Sequence, residues 1–333
     1  MNSSDVHIIG DQVRISNFLE QQSRDEILSE IFTGLSENQK SISSRFFYNE
    51  KGSALFESIT RLREYYPTRT EKSILEKISS SLFTADGTIE IVELGSGDCS
   101  KISILLDALP AKLVSAVKYY PVDISETSIV KSAEFLSMKF PGIRIHGKLA
   151  DFMKHLDELP GKNDRLVCFF GGTIGNLSHE EAIVFLSEMR GMMRAGDSLL
   201  VGFDMVKEID ILEAAYNDAH GITEAFNKNI LSAINEIAET SFKPERFAHL
   251  AFYRQQEMRI EMHLEAMEDL EIQSPHFPRA IQIRKGETIH TENSHKFTGT
   301  LIREIADRSG LTIRNIFTDH QGWFSLVQFC PND

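Results

Sequence analysis

The sequence lacks the features of a membrane, secreted or nucleic-acid-binding protein. Among its 333 residues no stretch approaches the ~20 apolar residues that span a bilayer. Cysteine is scarce. Cys99, Cys168 and Cys330 are too few, odd in number and not spaced as a metal site, so no disulfide framework is expected and a reducing cytoplasm is. The opening "MNSSDVHIIGDQVRISNFLEQQ" has no basic start followed by an apolar run, so no secretory signal is expected. Positive charge is also short. With 35 Lys and Arg against 49 Asp and Glu the net charge is −14, and no basic cluster offers a nucleic acid a binding face. Repeats and low-complexity tracts are missing, and the 11 histidines suggest no metal site. What is left is a globular composition, 41% hydrophobic, in a chain long enough for about two domains.

From about residue 70 onward, apolar runs alternate with amphipathic segments. "TIEIVEL", "VKYYPVD", "IRIHG", "RLVCFFGG" and "DSLLVGFD" read as strands. Between them "CSKISILLDAL" stops at Pro110, and "ETSIVKSAEFLSMKF" ends before a Pro-Gly pair. "HEEAIVFLSEMRGMMR" opens on a capping box of Ser178 and Glu181. Such alternation predicts parallel strands joined by crossover helices, hence a doubly wound α/β sheet. Residues 221–240 read as a helix, and "HLAFYRQQEMRIEMHLEAMEDLEIQ" alternates like antiparallel strands. "GTLIREIADRSG" reads as a helix, followed by two strands, "LTIRNIFTD" and "WFSLVQF", across a short turn.

In such a sheet a ligand sits beyond the carboxyl ends of the strands. That puts "GSGDCSK" and "PVDIS" on one rim. Gly95 and Gly97 carry no side chain, so a ligand can approach the backbone there. Asp123, at the end of the next strand, is placed to reach a ribose diol. A dinucleotide would want a third glycine, but that position is Ser100. Glu93, just before the loop, suits a cation better than a pyrophosphate. S-adenosylmethionine, with a sulfonium and an ammonium and no phosphate, fits those two facts. "VELGSG" resembles the first motif of class I methyltransferases, and "LADF", with Asp151 and Phe152, falls where that family touches adenine.

Other stretches carry a sharper resemblance. "FFYNEKGSALFESITRLREYYPTRTE", "FFGGTIGNL", "GDSLLVGFDMVK", "AAYNDAHGITEAFNKN", "RIEMHLEA" and "TENSHKF" closely resemble the histidine Nα-methyltransferases of ergothioneine biosynthesis. The likeness runs in register from about residue 45 to the last strand. It implies a Rossmann-like class I methyltransferase sheet with an inserted α+β substrate-binding domain. The donor-binding domain would be 70–206 and 297–333, the substrate domain 1–69 and 207–296. It implies donor contacts from Glu93, Gly95, Gly97, Lys101, Asp123, Asp151 and Phe152. Asn176, Tyr65 and Tyr216 would hold the backbone end of the amino acid as catalytic residues, with Gly171, Thr173 and Tyr48 close by. Met262, Glu292 and Ser294 would receive the ring.

Chemistry supports those assignments from below. Glu292 and Ser294 are two apart, so in an extended segment they point the same way. A carboxylate can accept from one imidazole nitrogen and a hydroxyl can serve the other. Asn176 offers both a donor and an acceptor. The implied reaction is three in-line methyl transfers to the neutral α-amine of L-histidine, giving hercynine. No metal is needed, and the partners are small molecules: histidine, its mono- and dimethylated forms, and S-adenosylmethionine. The expectation is a monomer acting on neither nucleic acid nor membrane. The alternatives are an N-methyltransferase for another amino acid, such as one bearing an indole, a nicotinamide oxidoreductase on the same sheet, and a binding protein that kept the fold.

Overall fold

A computed structural model describes residues 4–9, 12–18, 23–83, 89–153 and 164–332. Its strands in chain order are β1 (Ser4–Ile9), β2 (Val13–Asn17), β3 (Lys40–Ser41), β4 (Ile89–Leu94), β5 (Val117–Asp123), β6 (Arg144–Leu149), β7 (Arg165–Phe169) and β8 (Ser198–Asp204). They continue with β9 (Phe247–Arg254), β10 (Arg259–Ala266), β11 (Leu270–Ile272), β12 (Ile281–Ile283), β13 (Thr288–His295), β14 (Leu311–Thr318) and β15 (Phe324–Pro331). The chain divides into two compact units. One is Met1–Glu20, Pro67–Val206 and Phe297–Asp333; the other is Gln21–Tyr66 and Lys207–Lys296.

The first unit is built on a nine-stranded sheet in the order β1-β2-β6-β5-β4-β7-β8-β15-β14. Strands β6, β5, β4, β7 and β8 run parallel. The chain enters this set in the middle, at β4, winds outward through β5 and β6, and returns to the other side at β7. The order therefore reverses between β4 and β7, which makes their carboxyl ends the switch point of a doubly wound, Rossmann-like sheet. Strands covered on both faces need apolar residues in both parities. Accordingly Ile91 packs into one core cluster, with Leu105, Tyr119 and Ile145, while Val92 and Leu94 pack into the other, with Val122, Phe169 and Phe203. The antiparallel pair β15 and β14 closes one edge, as the C-terminal pattern predicts.

The other edge differs from expectation. The resemblance implies that residues 1–69 belong together to the inserted domain, but β2 pairs parallel with β6 and β1 pairs antiparallel with β2. Val13 and Ile15 are buried in the core of the large sheet. The physical reason is the open edge of β6, whose unpaired backbone groups accept another strand. The division between units thus falls at 20/21 and 66/67.

The second unit carries a four-stranded sheet, β3-β13-β10-β9, and a two-stranded one, β11-β12. β13 and β9 flank β10, both antiparallel to it, as "HLAFYRQQEMRIEMHLEA" predicts. The helix Ile222–Ala238 packs on the helix Glu50–Ile59. Phe226 stacks on Phe47 at 4.4 Å between ring centroids. A bulge interrupts the β10–β13 ladder. Met262 pairs with Glu292 and His263 with His290, leaving Thr291 as the extra residue. Thr291 is buried, and its single hydroxyl hydrogen is shared between Asn227 Oδ1 at 2.7 Å and Met262 O at 3.0 Å. A bulge re-aims the residues that follow it, here Glu292 and Ser294.

Candidate functional site

In the first unit the turn after β4 has left-handed backbone at Gly95 and Gly97, with φ of 70° and 51°. Cys99 is also left-handed there, and its helix, Ser100–Asp107, begins directly after it. A Cβ on Gly97 would meet nothing within 4 Å, so the backbone there is open to a ligand. At the end of β5, Asp123 accepts the Gly97 N–H at 3.0 Å on one oxygen and the Ser125 N–H at 2.9 Å on the other. Burial pushes its carboxyl above the usual range, while these N–H bonds oppose that. Each oxygen keeps a lone pair for a further donor, and a ribose diol supplies two. The Phe152 ring lies 3.7 Å from where a Gly95 Cβ would stand.

Asp98 discriminates between ligands. Its carboxylate takes the Ser100 N–H and Oγ–H at 3.1 and 2.7 Å. The first turn of the helix, where a dinucleotide would place its pyrophosphate, therefore already holds an anion. Glu93 lies below this loop, buried, and accepts from the Tyr119 hydroxyl. Burial pushes its carboxyl up to about 8, with Tyr119 and Lys101 opposing the shift.

A third cluster forms where the helix Tyr66–Ile78, the helix Ser100–Asp107 and the loop after β7 converge. The fully buried Glu71 accepts the Gly171 N–H at 3.0 and 2.9 Å and pairs with Lys101 Nζ at 2.7 Å. Gly171 sits at a φ of 85°, and a Cβ on it would stand 3.2 Å from both Lys101 Nζ and Thr173 Oγ1. A Cβ on Gly202 in β8 would come within 2.4 Å of Glu71 Oε1, so that glycine makes room for the carboxylate. Asn176 closes the short turn Thr173–Asn176, and its side chain makes no hydrogen bond to another described residue.

In the second unit Tyr65 and Tyr216 are buried with their rings edge to face at 6.3 Å. The Tyr216 hydroxyl donates to Ser294 Oγ at 2.8 Å. Lys296, wholly buried, donates to the same Ser294 Oγ at 2.8 Å and to Tyr216 Oη at 3.3 Å. Met262, buried, is the cross-strand partner of Glu292. The Glu292 carboxyl takes no hydrogen bond from a described residue, and burial pushes it up to about 7, against the pull of Lys296.

The matching family model, described as "Histidine-specific methyltransferase, SAM-dependent", covers residues 27–330. The chain belongs to this family. It is 38% identical over 315 residues to a "Histidine N-alpha-methyltransferase" of Mycolicibacterium smegmatis, covering 94% of this chain and 97% of that one. A protein of the same name from Mycobacterium tuberculosis is 36% identical, covering 95% and 98%. An "Ergothioneine biosynthesis protein 1" of Schizosaccharomyces pombe is 30% identical over 80% of this chain, which matches 35% of that longer protein.

In this methyltransferase the residues expected on the donor side gather within the first unit. Gly95, Gly97 and Asp123 meet through the Gly97 N–H, and Phe152 packs over Gly95 and against Phe169. Asp151, next to it, accepts the Met153 N–H at 3.0 Å. Lys101, Gly171 and Thr173 form a separate group around Glu71. In the second unit, Tyr65, Tyr216 and Ser294 are linked, and Met262 and Glu292 are neighbours. Tyr48 stands further out, 37% exposed, with its ring against Phe56 and Phe226. Ser294 is also more committed than a free hydroxyl, because Tyr216 and Lys296 both bond to it.

Two further residues of this methyltransferase, Glu71 and Lys296, emerge only in the structure. Glu71 shares one helix face with Ile74, Leu75 and Ile78, all buried, at spacings of three, four and seven. A carboxylate in the middle of an apolar stripe was the available signal. Lys296 continues the alternation of Glu292 and Ser294, so the spacing that found those two extends to it. Among the described residues no cluster of His, Cys, Asp and Glu could hold a metal ion. No helix among them is long and apolar enough to cross a membrane.

Proposed function

We propose that the protein transfers methyl groups from S-adenosylmethionine to the α-amine of L-histidine, three times in succession, forming hercynine in the first step of ergothioneine biosynthesis. The observation that carries the choice of histidine is Glu292, a half-buried carboxyl with no hydrogen-bonding partner among the described residues. Desolvation pushes it up to about 7, and a ligand N–H would replace part of the lost solvation. Beside it Ser294 offers a hydroxyl on the same side of an extended strand, and Met262 supplies an apolar neighbour. An imidazole satisfies both polar groups at once. A phenyl ring satisfies neither, and an indole, with its single N–H and no bare nitrogen, satisfies one.

Donor binding is assigned to the first unit. S-adenosylmethionine supplies an electrophilic methyl on sulfur. Asp123 is assigned the ribose hydroxyls, Asp151 and Phe152 the adenine, and the open backbone at Gly95 and Gly97 admits the molecule. Glu93 adds negative charge under the loop when a cation draws its proton off. Lys101 is assigned the donor's carboxylate, in an orientation set by its ion pair with Glu71.

The acceptor amine must be neutral to attack. A peptide's terminal amine has a pKa of ~8 and that of a free amino acid is higher, but a neighbouring sulfonium lowers it, so no strong base is required. The task of Asn176, Tyr65 and Tyr216 is then orientation, holding the amino acid by its backbone groups so that nitrogen lies in line with the methyl carbon. Methylation removes N–H donors one at a time, so the ring-binding residues and the faces of Tyr65 and Tyr216 keep the intermediates in place. A quaternary ammonium against tyrosine faces gains cation–π attraction. Gly171, Thr173 and Tyr48 are assigned to the surroundings of the substrate.

The test is incubation of the purified protein with S-adenosylmethionine and a panel of amino acids, read by mass. Histidine should gain three methyl groups in sequence. Methylation of tryptophan or phenylalanine in preference to histidine would refute the assignment.

A further inference from the structure

Lys296 is the most deeply buried cation of the second unit that the reaction outlined above leaves without a role. It is fully inaccessible, yet its ammonium reaches two hydroxyls expected to line the substrate pocket. Its position also lies over the Tyr216 ring, 5.1 Å from the centroid.

A hydroxyl has one hydrogen and two lone pairs, and an ammonium can only donate. Ser294 Oγ accepts from Lys296 Nζ at 2.8 Å and from the Tyr216 hydroxyl at 2.8 Å. Both of its lone pairs are therefore taken, and all Ser294 can offer a ligand is its hydrogen. Without Lys296 one lone pair would be released, and Ser294 could equally accept from a ligand N–H. Glu292, two residues earlier, has the opposite character, since as a carboxylate it can only accept; burial holds it at about 7 in the empty pocket, and a bound ring N–H draws it back toward the carboxylate form.

We propose that Lys296 is the specificity-determining positioning residue of this pocket: it compels Ser294 to donate, so that Ser294 and Glu292 together select a neutral ring with one N–H and one bare nitrogen and reject the doubly protonated ring. The inference rests on Glu292 and Ser294 being the ring-binding pair. A second ring N–H would meet the Ser294 hydrogen and the buried positive charge behind it. Lys296 thus acts through Ser294 and touches no reacting atom.

Other titratable groups of the surrounding elements have partners of their own, the buried His295 of β13 among them. Tyr216 and Glu292 are the immediate neighbours. On β9 and β10, Arg254, Arg259 and His263 all close on Glu261. On β13, His290 is held by Asn293 at 2.9 Å. His249 is hydrogen-bonded to the Tyr216 carbonyl at 2.9 Å.

The experiment begins with the unaltered protein. Histidine carrying ¹⁵N in its ring is bound in the presence of S-adenosylhomocysteine, and its nitrogen resonances are followed from pH 8 to pH 5.5. A free imidazole with a pKa of ~6.5 is about nine-tenths protonated at the lower pH. The bound ring should still show one N–H and one bare nitrogen there. A bound ring protonated on both nitrogens overturns the proposal without any variant. Protein that binds no histidine at pH 8 removes the reading of the pocket, and this proposal with it. The variants then isolate Lys296. The wild-type KM for histidine should rise at least about tenfold between pH 8 and pH 5.5, following the loss of neutral ring together with protonation of Glu292 in the free enzyme. Lys296→Met should make that rise at least about threefold smaller, with the change in KM rather than kcat, and Lys296→Arg should restore it. S-adenosylhomocysteine affinity checks that the variants are folded. A folded Lys296→Met enzyme that methylates histidine with the wild-type pH profile overturns the role of Lys296 and leaves that of Glu292 standing.

Discussion

Glu292→Ala tests the substrate assignment most directly. The native carboxyl has no hydrogen-bonding partner among the described residues, so a bound imidazole N–H would be its main one. Removing it deletes a bond to a charged group and leaves a ring nitrogen without its partner. Together these should weaken histidine by about 2–4 kcal/mol, or ~30- to 1000-fold. S-adenosylhomocysteine affinity should be unchanged. A Glu292→Gln variant tests the same carboxyl through stability. Desolvation holds it at about 7 instead of 4.5, so the folded state keeps this proton to a higher pH than the unfolded chain. Stability should therefore fall as pH rises from 4.5 to about 7 and level off above. The glutamine variant escapes that loss. It should match the wild type near pH 4 and exceed it at pH 8 by up to about 3 kcal/mol, seen as a higher Tm and denaturant midpoint. Enzyme kinetics and denaturant titration at the two pH values measure both effects. Glu292→Ala with an unchanged KM for histidine means the carboxylate does not read the ring. Glu292→Gln less stable at pH 8 means the carboxyl is already satisfied by the protein.

Asp123→Ala should weaken S-adenosylhomocysteine by about 1.5–3 kcal/mol in calorimetry while leaving the choice of amino acid unaltered. Unaltered donor affinity in a folded variant would remove the ribose assignment. Gly202→Ala puts a Cβ within 2.4 Å of the Glu71 carboxylate and should lower stability by about 1–3 kcal/mol in urea. A wild-type midpoint would show that the buried carboxylate has room to move. Glu93, held at about 8 by burial, keeps its proton beyond the pH at which the unfolded chain loses it, so its contribution to stability declines from about 4.5 up to about 8. Glu93→Gln should be more stable than wild type at pH 8.5 and indistinguishable at pH 4, and equal pH dependence of the two proteins would contradict this.

Much of the first unit could be read from the chain because its rules are local. The run "VKYYPVD" coincides with β5, and the Ser178–Glu181 capping box begins its helix as written. Parallel strands covered on both faces must be apolar throughout, and helices between them must be amphipathic, so composition and period suffice. The glycines at 95 and 97 announce left-handed backbone because few other residues tolerate it. Cys99 breaks that rule at a φ of 53°, and nothing in its side chain signals it.

The sequence alone determined the order of elements, the likeness to histidine-specific methyltransferases and the shared direction of Glu292 and Ser294. These depend on residues near one another in the chain. Only the tertiary structure decided what depends on distant partners. It placed β2 on the edge of β6, which no pattern within residues 13–17 demands. It brought Gly171 to the Glu71 carboxylate from 100 positions away, and set Gly202 of β8, which has no side chain, against that carboxylate. It also turned Ser294 from a two-way hydroxyl into a donor, by setting Lys296 and Tyr216 on its two lone pairs. A side chain's type is a local fact, but its unpaired hydrogens and lone pairs are known only once every neighbour has taken its share.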